Sequence, residues 1–290
     1  MYNAFFGFSE SPFSLSPDPG FFFRSEQHEE ALANLVYGVQ ARKGFIVLTG
    51  EVGTGKTTML ECLRDYLESQ YIEFAFLFNS RINTEQFFEM IAYDLDLPCS
   101  RMSKTEVLFA LNTLLVEQTQ DGRTVVLIVD EAHNLEWEVL EEIRLLGNLE
   151  NRGGKLLQII LAGQPELDRK LDAPNLRQLK QRIVLRCNLQ PFTLRDALDY
   201  MQSRLERAGI SDQTIFSEEL MAEIHLRTQG IPRVINALCD NLLLTAFALE
   251  SKTCNVEMLD EVCKDMRIDW PGSRRARGRV PDETYERTSY

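Results

Sequence analysis

The run Gly50-Glu51-Val52-Gly53-Thr54-Gly55-Lys56-Thr57 limits what this 290-residue chain can fold into more than any other stretch. It satisfies G-x-x-x-x-G-K-[ST] at every required position. It follows the apolar run Phe45-Ile46-Val47-Leu48 and precedes a helix-like segment from Thr57 to about Ser69. Strand, glycine-rich loop and helix in that order build a phosphate cradle. The glycines let the loop wrap, backbone N–H groups turn inward, and the helix adds the positive end of its dipole. In such a cradle Gly50, Glu51, Val52, Gly53, Thr54, Gly55, Lys56, Thr57 and Thr58 line a nucleotide, with Lys56 reaching the β- and γ-phosphates. The Thr57 hydroxyl is a ligand for Mg²⁺. A plain glycine-rich turn containing Lys-Thr would not need the flanking strand and helix.

From 45 to 190 the pattern alternates. Strands are expected over Phe45–Thr49, Phe74–Asn79, Val125–Asp130, Leu157–Ala162 and Ile183–Leu189. Helices are expected near 57–69, 84–95, 103–119 and 136–149. The strand runs lack polar alternation, as strands buried on both faces of a parallel sheet do. The expected class is α/β, a doubly wound parallel sheet flanked by helices. Ahead of it, Leu32, Leu35, Val36 and Val39 recur at helical spacing over about Glu26–Ala41. After Pro191 only helical patterns remain. Thr193-Leu194-Arg195-Asp196 reads as a capping box, and further helices fit 217–228, 233–249 and 255–266.

The expected domains are therefore an N-terminal arm (1–24), a nucleotide-binding α/β domain (25–191), a small helical lid (192–268) and a disordered tail (269–290). The arm sets Phe5, Phe6, Phe8, Phe13, Phe21, Phe22 and Phe23 among Pro12, Pro17, Pro19 and Gly20. It reads as an irregular strap over the core, or as a wall of the adenine pocket or an intersubunit arm. The tail carries Arg274, Arg275, Arg277 and Arg279 with little apolar content, which reads as a solubilising end.

Composition narrows the partners. The hydrophobic share of 44% suits a globular core, and the net charge of −13 argues against attraction of the whole surface to nucleic acid or anionic lipid. Six scattered cysteines without a C-x-x-C pair read as buried thiols in a reducing compartment. No apolar run approaches the roughly 18–20 residues of a membrane helix, and the Phe-rich start lacks the basic region of a signal peptide. The expectation is a soluble cytoplasmic protein with no direct membrane insertion.

The second half of the site follows Val125-Val126-Leu127-Ile128-Val129. Asp130 would hold Mg²⁺, and Glu131, facing elsewhere, would orient the attacking water. Asp130-Glu131-Ala132-His133 also spells a helicase motif, but the chain is short for two helicase cores and a helical domain follows. His133 reads as a local hydrogen-bonder. Gln164, after the strand ending Leu161-Ala162-Gly163, would sit beside the γ-phosphate. Arg182, with Arg177 as second choice, precedes the last strand and could stabilise transition-state charge from a neighbouring subunit. Gly230-Ile231-Pro232-Arg233 opens a lid helix. An arginine at a helix N-terminus is poorly placed for the dipole, which points Arg233 to an anionic partner.

This order of parts resembles an AAA+ P-loop ATPase. Finer matches resemble the ExeA/GspA group of the general secretion pathway. They are Phe13-Ser14-Leu15-Ser16-Pro17-Asp18-Pro19, then His28-Glu29 ahead of Leu35-Val36-Tyr37-Gly38, Val47 to Thr57, Leu161 to Leu167, Leu179 to Ile183, and Gly230 to Asn236. The resemblance covers about residues 3–268. It implies an ATP hydrolase that uses ATP and Mg²⁺ as a homo-oligomer, with protein partners in a secretion, pilus or exopolysaccharide export machinery. The TniB-type transposition helpers are more distant kin, which makes DNA the weaker expected partner. A nucleotide switch with little hydrolysis is a third reading. Unlike the full-length secretion protein, the chain shows no membrane helix after the lid and no peptidoglycan-binding domain, so the resemblance carries the ATPase module.

Overall fold

The computed structural model describes residues 2–16, 19–78, 81–98, 103–151, 153–210 and 215–268. The expected tail lies outside the described residues. The described residues form two compact units, one within 16–190 and a helical one built from described residues before 16 and after 190.

Helix α1 (Tyr2–Phe6) belongs to the helical unit and α2 (Glu26–Gln40) to the other. The larger unit continues with β1 (Phe45–Gly50), α3 (Lys56–Ser69), β2 (Glu73–Leu77), α4 (Thr84–Asp94), α5 (Lys104–Gln120), β3 (Val125–Val129) and α6 (Trp137–Leu146). A two-residue hairpin, β4 (Glu150–Asn151) and β5 (Gly154–Lys155), precedes β6 (Leu157–Gly163), α7 (Glu166–Leu171), α8 (Arg177–Lys180) and β7 (Ile183–Leu189). The main sheet is wholly parallel, in the order β2-β3-β6-β1-β7.

The two-residue period of a strand sorts its side chains onto two cores. Phe45, Val47, Val125, Leu127, Val129, Ile159 and Leu161 face the helices α4, α5 and α6. Ile46, Leu48, Val126, Ile128, Ile160 and Ala162 face α2 and α3. The three inner strands are buried at every position. The outer two are not. β7 alternates exposed and more covered residues, with Val184 56% exposed, and β2 is exposed at Glu73 and half-buried at Phe74 and Phe76. Expectation and structure differ there because an edge strand has a neighbour on one side only. Helix starts follow local chemistry. Asn83 with Gln86, and Ser103 with Glu106, make reciprocal capping boxes for α4 and α5.

The helical unit contains α9 (Leu194–Arg207), α10 (Glu218–Thr228), α11 (Pro232–Ala248) and α12 (Val256–Asp265). Thr193 caps α9 by accepting from the Asp196 N–H at 3.2 Å. Its hydroxyl donates to the Asp196 carboxylate at 2.6 Å, so the two side chains close the cap on each other. The N-terminal stretch is divided between the units. Residues 2–6 are helical rather than irregular, because α1 is held against α11: the Tyr2 hydroxyl donates to Asp240, and the Phe5 and Phe247 rings meet at 5.4 Å. Phe6, Phe8 and Phe13 are buried, and Arg204 donates to the Pro12 carbonyl at 2.9 Å. Phe21 and Phe22 instead belong to the sheet unit, where Phe22 packs on the α2–α3 side. The described cysteines are free thiols. Burial pushes Cys187 up to about 11 and Cys254 up to about 12, while Cys99 lies outside the described residues.

Candidate functional site

Parallel strands leave their carboxyl ends on one edge of the sheet. Ligands of open α/β sheets bind there, where the strand order reverses. The chain runs from β1, near one side, past β6 and β3 to β2 before returning, so the loop after β1 stands at that reversal. Gly50 closes β1 where a side chain could not fit. A Cβ there would lie 2.7 Å from the Leu189 carbonyl and 2.8 Å from Thr54 Oγ1. Gly53 and Gly55 take φ of 85° and 101°, the left-handed region that glycine enters at little cost, and helix α3 begins directly after. Thr54 is fully buried and braces the loop, its hydroxyl donating to the Glu51 carbonyl at 2.9 Å.

Lys56 is 6% exposed and donates to the carbonyls of Gly50 at 2.8 Å and Glu51 at 2.9 Å. Burial lowers its pKa, while Glu131, Asp130, Glu51 and Glu166 pull the other way. Thr57 Oγ1 lies 3.3 Å from Asp130 Oδ2. Burial raises the Asp130 pKa, against the backbone N–H of Glu131, which donates to Asp130 Oδ1 at 2.8 Å. Val52 is exposed, and Thr58 is half-buried on the first turn of α3.

Glu131 adopts φ 52° and ψ 33°, so the chain turns sharply and sends this carboxylate away from its neighbour. The Gln164 amide, at the end of β6, donates to Glu131 Oε2 at 3.3 Å. His133 Nδ1 accepts from the Gln164 N–H at 3.3 Å and lies 3.4 Å from Glu131 Oε2. The structure therefore gathers Lys56, Thr57, Asp130, Glu131 and Gln164 at the ends of the adjacent strands β1, β6 and β3.

Arg182 lies elsewhere in the sheet unit. Arg182 precedes Ile183, which pairs with Phe45 at the start of β1, so it stands at the opposite end of the sheet from the loop in its own chain. There it donates to the Arg144 carbonyl at 3.1 Å and to Asn148. Arg177 is exposed at the start of α8. Arg233 is exposed at the second position of α11, in the helical unit. Before it, Gly230 has φ 71°, and a Cβ there would come 2.2 Å from the Phe192 carbonyl.

Two supporting groups are given no role in the site by the sequence. His28, 3% exposed at the start of α2, approaches the loop with Nε2 3.3 Å from the Thr54 carbonyl. Lys170 of α7 donates to the His133 carbonyl at 3.0 Å and to the Leu135 carbonyl, pinning the turn after Glu131. The lysine spacing gives no hint of this, because the carbonyls it meets come from another element.

Among the described residues no group of three or more His, Cys, Asp and Glu side chains could enclose a metal. Thr57 and Asp130 are a hard oxygen pair. That suits Mg²⁺, which takes one or two protein oxygens and completes its shell with phosphate and water.

An AAA-domain family profile matches residues 39–171. General secretion pathway protein A of Aeromonas hydrophila is 44% identical over 249 residues, which cover 86% of this chain and 45% of that protein. The chain thus spans less than half of that relative's length. Among solved structures, the chain is similar to Cdc6p from Pyrobaculum aerophilum at a TM-score of 0.65 and 19% identity, covering 91% of this chain and 70% of the other. It is similar to Drosophila ORC bound to DNA at a TM-score of 0.61 and 17% identity, covering 97% and 68%. These two likenesses concern the fold, a P-loop α/β sheet followed by helices. Together the motif geometry, the profile and the relative place the chain: it belongs to the AAA+ ATPases, in the group of general secretion pathway protein A.

Proposed function

We propose that the protein is a Mg²⁺-dependent ATP hydrolase, working in the cytoplasm as a homo-oligomer on the assembly or regulation of a secretion, pilus or polysaccharide export machinery. The juxtaposition of the Glu131 carboxylate and the Gln164 amide at 3.3 Å, beside Lys56 and Asp130 on one sheet edge, supports it most directly. The loop amides of residues 50–58 bind the phosphate oxygens, and Lys56 exchanges its carbonyl partners for them. Mg²⁺, held by Thr57 and Asp130, would neutralise charge on the β- and γ-phosphates. Glu131 orients and polarises the attacking water, and Gln164 holds that water and the γ-phosphate in line. Arg233 senses the phosphates from the helical unit. Arg182 does not face its own loop, which suits an arginine acting on a neighbour's nucleotide, with Arg177 as the alternative. The relation to a secretion pathway protein supports the pathway, as does the acidic charge of −13, which disfavours DNA as the main partner.

The deciding experiment measures ATP turnover per subunit against protein concentration, with and without duplex DNA. A rate that climbs with concentration whatever the DNA supports sites shared between subunits. A rate that rises only with DNA replaces the export role with a transposition-helper role. A flat, near-zero rate in both, with ATP bound, replaces hydrolysis by a nucleotide switch.

A further inference from the structure

We infer that His28 is a positioning residue of the phosphate loop: by holding the Thr54 carbonyl it turns the Gly55 N–H toward bound phosphate. This deepens the nucleotide-binding reading above and rests on it. His28 is the third residue of α2 and reaches the loop from a different element, with Nε2 3.3 Å from the Thr54 carbonyl. A carbonyl only accepts, so Nε2 carries the proton. Nδ1, 2.7 Å from Ser25 Oγ, then accepts from that hydroxyl. Ser25 also accepts the His28 backbone N–H at 3.4 Å, so the cap that starts α2 holds the ring in place while the Thr54 carbonyl, which can only accept, sets its tautomer. Phe22 packs edge-on against the imidazole at 5.8 Å, and a Cβ on Gly55 would come 3.5 Å from Nε2.

The consequence follows from peptide planarity. The Thr54 C=O and the Gly55 N–H belong to one trans peptide and point in opposite directions. Drawing the carbonyl toward α2 sends the N–H away from α2, into the hollow of the loop. Gly55 sits at φ 101°, where a glycine lets this peptide rotate at little cost. The loop sequence alone therefore does not fix the orientation; the imidazole does. A buried carbonyl left without its donor would favour the rotated form.

The test compares His28→Gln with His28→Asn in the full-length protein. A glutamine amide nitrogen reaches about as far as Nε2; an asparagine amide reaches only about as far as Nδ1. Equilibrium binding of ADP and of a slowly hydrolysed ATP analogue is measured by calorimetry, with thermal melting to follow the fold. We expect H28N to weaken both nucleotides alike by about 3- to 10-fold, the worth of one hydrogen bond, and H28Q to stay within about 2-fold of wild type. Wild-type affinity in H28N, or equal loss in both variants, overturns the inference. If H28N does not fold, ¹⁵N NMR of the histidines decides on the wild-type protein: a proton on Nε2 of His28 supports it, and one on Nδ1 overturns it. A wild-type protein that binds neither nucleotide sinks the underlying nucleotide reading instead, a result distinct from any difference among the variants.

Discussion

At the scale of the residue, Asp130 shows what the site costs the fold. Burial raises its pKa above the usual carboxylate range, so its ionised form at neutral pH is destabilising. A group with a raised folded-state pKa contributes its stability below the ordinary value near 4 and loses it as pH rises through the raised one. Asp130→Asn should therefore melt higher than wild type at neutral pH. The gap should close as pH falls toward about 4. Melting curves across pH check this, and Mg²⁺-dependent turnover should be lost in the same variant. Glu131→Gln should keep ATP affinity while turnover falls by about 10²- to 10⁴-fold, as when a water-activating group is removed. Normal turnover there would take Glu131 out of the mechanism. Lys56→Ala should lose measurable nucleotide binding, and unchanged affinity would count against its role in the cradle.

At the scale of the element, Gly230 carries the clearest prediction. Its backbone is left-handed and a methyl group would run into the Phe192 carbonyl at 2.2 Å. Gly230→Ala should destabilise the helical unit by about 1–3 kcal/mol, seen as earlier proteolysis within residues 191–268. The long helices and inner strands were legible in the sequence because their signals are local: apolar runs, the period of Leu32 to Val39, and the glycines of 50–55. What escaped the sequence depends on neighbours. Five residues at Tyr2–Phe6 become a helix only because α11 receives their rings. β4–β5 and α8 are too short for any period to show. The partial exposure of β2 and β7 follows from their edge positions, and strand order is not written in any strand. In the site, strand ends could be read residue by residue. The contact of His28 with Thr54 could not, since it joins a helix face to a loop 26 residues away.

At the scale of the whole molecule, Arg182 stands at the amino end of its strand, away from its own phosphate loop. Turnover per subunit should then rise with protein concentration. Adding Arg182→Ala subunits to Lys56→Ala subunits should restore part of the activity that each lacks alone, because a mixed interface pairs an intact loop with an intact arginine. Mixing that gives no activity at any ratio would assign the arginine to its own chain or remove it from the reaction.

The helical unit is also discontinuous, built from residues before 16 and after 190. On the ribosome its first piece emerges long before the helices that receive it. At about 5–20 residues per second, Phe5, Phe6, Phe8 and Phe13 wait roughly twelve to forty-eight seconds for α11 to be made. During that interval the nascent chain displays an aromatic segment next to a sheet domain that is free to fold. Ribosome-associated chaperones should crosslink to this segment until synthesis has passed residue 248, and then release it.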